Sequence, residues 1–597
     1  MSNQQFTIEW KWGLLASLAL VILAVYPQVH LLINRGTDWA GAYAYVDTDE
    51  VAYSAYLQAL IEGSDRRNDP YTGRNNYEGK PLPESLFSVQ FIAPYVLAIP
   101  GRLFGLSAST VFMLLTPLVA LASSLVMFWC LAIVTENNRL AAVGVLVVLC
   151  LSTFVSGQGP SRYLFGTAVR WNYLPFLRRY IPGIAFPFFL ALFGLIWRSF
   201  TSNGRYLRWA LCVGSTIVLL IFSYFYLWTA AVAWLACLAL VWSIARPCGW
   251  SRSIRLLLVA AGIVLVALMI YGSLLAQRSA LSDQIQVLIL SRQFDLLRPS
   301  EVVSLILLGV LACFILLRLI TLADPKVLYL ISILLIPLAV FNQQVLTGRS
   351  LQPFHYEEFV TSYTVLIGII ICWQLFVRNG ILPQWALSHR VLFWLAVISF
   401  AYGANSAAGI SRAALNDNLM RDRTLLVAKY LTDIGQENVG PVLTIEPRQA
   451  ETLPTFTRQS VLWALHMAVF PGAGAKEVKE RFYQYLYYSG VRDAELRDLL
   501  SARNYAVLTA LFGPGREAAH LTINFKPVTS QEAEEEVRLY SEYVNSFDRT
   551  IAARYKLSCV VVPAPETFDF SNLDHWYERD SGTTVGDFVV YRLKLRA

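Results

Sequence analysis

The sequence predicts a mainly α-helical polytopic membrane protein, with about eleven transmembrane helices and a C-terminal α/β domain. Three observations predict this. Of 597 residues, 56% are hydrophobic and only 15% charged, whereas soluble domains carry nearer a quarter charged residues. Many apolar runs reach roughly twenty residues, the length that crosses about 30 Å of hydrocarbon, and so many could not all be buried in one soluble core. Beyond residue 410 the long runs stop, and strand-like and helix-like stretches take turns.

The first run, residues 12–33, is too long for a signal-peptide core and lacks a small-residue cleavage site. It reads as a retained first span. Further spans are expected at 108–134, 139–157, 181–198, 208–223, 226–245, 254–277, 301–321, 326–346, 360–377 and 391–410. Alternate loops then hold the positive charge: Lys11; Arg139; Arg198, Arg205 and Arg208; Arg246, Arg252 and Arg255; Arg318 and Lys326; Arg378 and Arg390. Basic loops stay on the cytoplasmic side. The N-terminus is therefore expected inside, and everything after Tyr402 outside. The net charge of +7 is explained by these loops and does not call for a nucleic-acid partner. Seven of the eight cysteines lie in or beside apolar segments, with neither a disulfide framework nor metal-ligand spacing.

One segment decides the count. SLFSVQFIAPYVLAIPGRLFGLS, residues 85–107, is apolar enough to cross, but a crossing would turn every later basic loop outward. With Pro94, Pro100 and Arg102, it is expected to lie in the outer interface as an amphipathic or re-entrant piece. The division is thus a membrane domain over 1–410, with a first outward loop at 35–107, and an extracytoplasmic domain over 411–597. In the latter, GPVLTIEP, YAVLTALFG, KLSCVVVPAP and DFVVYRLKL read as strands. AKEVKERFYQYLYYSG and SQEAEEEVRLYSEYVNSF read as helices.

The first outward loop opens with YVDTDEVAY, which places Asp47, Asp49 and Glu50 together. Tyr53, Tyr56, Leu57, Leu60 and Ile61 follow at helical spacing, and Gly63 stops the run. Two readings are open. Asp47 as N-cap with Glu50 three residues later forms a capping box. Alternatively, the acids are chemical: an ionised carboxylate at a helix start can take a proton from a hydroxyl, or hold a divalent cation that holds a phosphate. A cap accounts for Asp47 and Glu50 but leaves Asp49 over.

The order of parts resembles the GT-C superfamily of membrane glycosyltransferases, notably the protein O-mannosyltransferase and aminoarabinose transferase types. It runs from one span through an outward loop opening on an acidic pair, a juxtamembrane helix and the interfacial PLPESL…YVLAIPGRLFGLS stretch to many more spans. Asp49-Glu50 matches the acidic pair of those types, and Asp47-Thr48-Asp49 fits the Asp-x-Asp form seen elsewhere in the superfamily. The resemblance implies a hexosyl- or pentosyltransferase in the cell envelope, in a bacterial inner membrane. Its donor would be a polyprenyl-phosphate-linked sugar and its acceptor a hydroxyl of a lipid, glycan or protein. Asp49 would be the general base of an inverting attack, with Asp47 and Glu50 orienting the acceptor or a metal. No cofactor is certain; Mg or Mn is the candidate cation, with Glu358 as a further metal partner of Asp47.

A lipid phosphate needs cations at the membrane edge. The second outward loop, 157–183, offers Arg162, Arg170, Arg178 and Arg179 among Tyr163, Trp171, Tyr173 and Tyr180. These arginines go against the positive-inside pattern, as a donor-phosphate site would; an interfacial belt of aromatic and basic residues is the plainer reading. The fourth loop, 347–359, adds Arg349 and His355. In the tail, His466, His520 and His575 have no ligand spacing, and Trp463 with His466 is expected to pack a helix. Two other functions stay open: a transporter or flippase for a lipid-linked glycan, and a catalytically inactive scaffold. A transporter would carry ionisable residues within its spans, and here the spans are nearly free of charge.

Overall fold

The computed structural model describes residues 6–77, 79–166, 173–202, 206–435, 439–522, 524–564 and 568–597. The chain is a multi-pass membrane protein. Seven helices are long and apolar enough to cross: Trp10–Asp38, Ala108–Thr135, Phe225–Ala245, Trp250–Leu275, Pro299–Leu316, Phe354–Arg378 and His389–Ala413. Asn138–Cys150 and Ser152–Tyr163 form a pair bent by 56°, which makes an eighth if it is one span. Phe186–Thr201, Tyr206–Ile221 and Pro325–Phe341 are apolar but shorter. A helix of 16 residues covers only about 24 Å. Length therefore marks seven or eight crossings where hydropathy marks eleven.

The helices pack through small residues, as spans do when lipid is as apolar as their own side chains. At Gly194 an added Cβ would stand 2.2 Å from the Trp129 ring, so only glycine lets these two helices approach. Loops rich in Lys and Arg meet at one end of the bundle. There Arg139 Nη1 lies 2.9 Å from His389 Nδ1, and Lys326 pairs with Glu136 at 3.2 Å.

At the other end the first loop folds as its pattern indicates. The helix Glu50–Ile61 is followed by Leu86–Val89 and then Ile92–Phe104. This last helix buries Ala93, Leu97, Ala98 and Gly101 and exposes Val96, Ile99, Leu103 and Phe104, an apolar outer face suited to the interface. The loops at 278–299 and 347–359 are tied together by a short antiparallel pair, Leu288–Leu290 with Arg349–Leu351, which the sequence does not signal.

Helix Leu415–Asp433 follows the last span and anchors the first loop. Its buried Asp422 accepts from Arg35 Nε at 2.7 Å and from the Ala40 and Ala42 amides at 3.1 Å. Asn418 both donates to and accepts from the Tyr45 backbone, at 2.8 and 3.0 Å. These bonds fix the strand of chain that delivers the acids.

The C-terminal region holds a mixed sheet in the order Val442–Thr444, Cys559–Pro563, Phe588–Leu595, Tyr577–Arg579. The first pairing is parallel and the rest antiparallel. Ala475–Tyr488 and Ser530–Asn545 are helices; Thr529 and Glu532 form a capping box for the second. Two expectations are corrected here. YAVLTALF is the helix Tyr505–Phe512, because Asn504 caps it through the Val507 amide and Gly513, at φ 85°, closes it. That punctuation outweighs its β-rich composition. Trp463 does pack against a helix, Ala475–Tyr488, with the Phe482 ring at 4.6 Å, but His466, expected to pack with it, lies in the 3-10 turn Leu465–Val469 and turns elsewhere.

Candidate functional site

The acidic cluster does not form the expected capping box. Asp49 is the N-cap of Glu50–Ile61 and makes no side-chain cap bond. The Asp47 carboxylate instead accepts from the Asp49 amide at 2.9 Å, an Asx turn that leads into the helix. Helical rotation then parts the neighbours. Glu50 is fully buried. It accepts from the Val46 amide at 2.9 Å, the Arg179 amide at 2.9 Å and Arg179 Nη1 at 3.1 Å. Burial pushes the Glu50 carboxyl up to about 8. We assign it as ionised, because all three contacts are N–H donors and none can accept a carboxyl proton. Arg179 also reaches Thr116 at 2.9 Å and covers the Tyr43 ring.

Asp47 and Asp49 face the other way, into a cavity of about 1080 Å³. They keep 39% and 43% of their side-chain surface open to it, although protein surrounds them. Its walls include Tyr53, Phe87 and Gln90 of the first loop and Arg178, Tyr224, His355 and Glu358 at the ends of later helices. Trp463, His466 and Tyr505 of the C-terminal region complete it.

Arg178 is the central cation. It is buried and donates to Asp49 Oδ2 at 3.0 Å, the Tyr224 hydroxyl at 3.0 Å and the Ile181 carbonyl at 3.0 Å. Its guanidinium lies over Phe359 at 4.6 Å, and Asp47 is 4.0 Å away. Burial works against ionised Asp49, but His466 and Arg178 outweigh it and hold this carboxyl well below the usual carboxylate range. Asp47 moves the other way: burial and the neighbouring Asp49 charge raise it, against Arg178.

The expected donor-phosphate residues divide. Arg178 and His355 line the cavity with the acids. Arg179 is turned inward to Glu50. Arg349 sits exposed in its short strand and is not a cavity residue, because its antiparallel partner is Leu290. Arg170 and Trp171 lie outside the described residues. Glu50, expected beside the reacting groups, is a structural ion-pair partner and not part of the cavity wall. Among the described residues, no group of three or more His, Cys, Asp or Glu is placed to hold a metal ion.

His466, expected only to pack a helix, lines the cavity, and Glu451, which no sequence pattern marks, stands beside it. Glu451 Oε1 accepts from the His466 amide at 2.7 Å, and its other oxygen holds His466 Nδ1. Nε2 is thereby left facing Asp49 Oδ1 at 3.9 Å, a distance at which it acts as a charge rather than as a full hydrogen bond. Burial disfavours the imidazolium, but Glu451 and Asp49 push it up to about 10. No spacing in the chain signals this contact, since Asp49 and His466 meet only through the fold.

No protein-family model matches the chain, and no curated protein matches it. Among solved structures, the chain is similar to the arabinofuranosyltransferase AftD from Mycobacteria, with 13% identity and a TM-score of 0.47, over 98% of this chain and 42% of that one. The chain thus spans less than half of AftD's length. It is also similar to ArnT from Cupriavidus metallidurans bound to undecaprenyl phosphate, with 12% identity and a TM-score of 0.44, over 96% and 97% of the two chains.

Proposed function

We propose that this protein is a GT-C-type glycosyltransferase. It moves a sugar from a polyprenyl-phosphate-linked donor to an acceptor hydroxyl on the extracytoplasmic face, with inversion. The observation that carries this reading is the pairing of Asp49 with Arg178 on the wall of one cavity, at the membrane end opposite the basic loops. A base and an anion-binding cation then flank a single space large enough for two substrates.

In this mechanism the acceptor hydroxyl gives its proton to the Asp49 carboxylate as its oxygen bonds to the anomeric carbon. The bond from that carbon to the phosphate oxygen breaks, and its electron pair leaves with the phosphate. Arg178 and His355 meet the growing phosphate charge. Asp47, next to the base, orients the acceptor. With His466 and Arg178 beside it, Asp49 is a weak base. A donor phosphate that draws on Arg178 removes one of these two holds and raises its basicity, so donor binding readies the base. The ionisable groups converge at one end of the bundle, which favours chemistry there over passage through it.

The test is turnover of a panel of polyprenyl-phosphate sugars by the purified protein. Asp49→Asn should lower turnover by about 10²-fold or more, the usual contribution of a general base. Equal turnover by this variant would remove Asp49 from that role.

A further inference from the structure

Beyond the acids and arginines, one buried cluster at the cavity is left without a task. It comes from the opposite end of the chain. Glu451 lies on the helix Pro447–Thr452, which packs against the acid-bearing helix Glu50–Ile61. His466 lies on the 3-10 turn Leu465–Val469. The segment before this turn is pinned twice, through the Val461 amide to the Tyr71 carbonyl at 2.9 Å and through the Leu462 amide to the Val442 carbonyl at 2.9 Å.

We infer that His466, gripped by Glu451, is a positioning residue for Asp49, so that the C-terminal region completes the site at the membrane rim. This rests on the transferase reading for what Asp49 does, but the contact stands on geometry. Glu451 binds both the backbone amide and the ring of His466, so neither the ring's place nor its rotation is free. Nδ1 is committed to Glu451, and Nε2 is the atom left for Asp49. A side chain fixed by a second partner orients the group it faces. With Arg178 on Oδ2 and His466 on the side of Oδ1, Asp49 is held from both flanks. When Arg178 turns to a donor phosphate, His466 is the contact that keeps the carboxylate aimed at the acceptor. The other ionisable groups around this contact include Asp47, His355 and Tyr505 on the cavity side and Tyr71 and Arg421 beside Glu451.

The test uses the full-length protein and the polyprenyl-phosphate sugar that it turns over. His466→Gln should lower kcat by about tenfold or more while the donor KM stays within about twofold, the signature of an interaction that matters in the transition state. Glu451→Gln should give a smaller loss of the same kind. A kcat for His466→Gln within twofold of the parent overturns the inference, and so does a loss carried by KM alone. A contact readout needs no turnover. Diethylpyrocarbonate acylates neutral imidazole, so near neutral pH the peptide bearing His466 should be modified several-fold faster in Glu451→Gln and Asp49→Asn than in the parent. Equal rates overturn the contact. If the parent turns over no donor while His466 is protected in this way, the transferase reading fails and the positioning contact stands.

Discussion

Glu50→Gln and Asp49→Asn alter neighbouring carboxyls by the same isosteric change, yet the structure predicts opposite outcomes. Glu50 is fully buried and holds Arg179, itself 2% exposed. The glutamine amide leaves that guanidinium without a counter-charge, and its NH2 turns a donor toward one of the three N–H groups that Glu50 now accepts. Breaking a buried pair from one side costs about 3–5 kcal/mol, which for a chain of 597 residues lowers a melting temperature by roughly 2–4 °C. Asp49 keeps 43% of its side-chain surface open, and Arg178 retains its bonds to Tyr224 and Ile181. Its loss of stability is therefore smaller than that of the fully buried pair, about 1–2 kcal/mol, because Asp47 stays 4.0 Å from Arg178 as a counter-charge. The assay is thermal unfolding in detergent beside transfer activity at a temperature where both variants are folded. Glu50→Gln should melt early and still turn over; Asp49→Asn should melt closer to the parent and not turn over. A Glu50→Gln protein that melts within about 0.5 °C of the parent, a change of less than ~1 kcal/mol for a chain of this length, refutes the structural role of the pair. A folded Glu50→Gln with no turnover places Glu50 in the chemistry.

Arg178→Gln should raise the donor KM by about tenfold or more, the loss of one charge-assisted contact; an unchanged KM would move the phosphate elsewhere. Arg349→Ala should leave the donor KM unaltered, and a rise would show that its strand does reach the donor. Gly194→Ala forces a methyl into the Trp129 ring and should destabilise the protein by about 1–3 kcal/mol, read as a lower melting temperature. His466 is raised to about 10 from an ordinary value near ~6.5. Its stabilisation is therefore complete below the lower value and lost as pH rises through the upper one. The melting-temperature advantage of the parent over His466→Gln should be largest near pH 6 and shrink toward pH 10; a constant gap contradicts the charged histidine.

Much of the frame was legible in the chain. Apolar runs located the helices, and the proline-containing 85–107 stretch ends in a short helix, Ile92–Phe104, with one apolar face buried and one exposed. The helix after the acids and its stop near Gly63 followed from spacing alone. What was not legible depended on direction. Asp49 and Glu50 are adjacent, and only the helix start settles that one faces a cavity and the other an arginine. Arg178 and Arg179 divide in the same manner. The count of about eleven crossings is not confirmed: hydropathy reports composition, whereas several of the apolar stretches form helices of only 16 or 17 residues. His466 was expected only to pack a helix because its significance comes from Glu451 and Asp49, and no local pattern links the three.

The cavity walls bear on how the protein is made. Asp49 is synthesised early, Arg178 later, His355 later still, and His466 only after the last span. Until the residues past 440 dock, the acids face an open groove with one flank missing. A growing chain thus acquires its apolar helices well before it acquires the last wall of the cavity, so the acids gain their full surroundings only when synthesis is nearly complete.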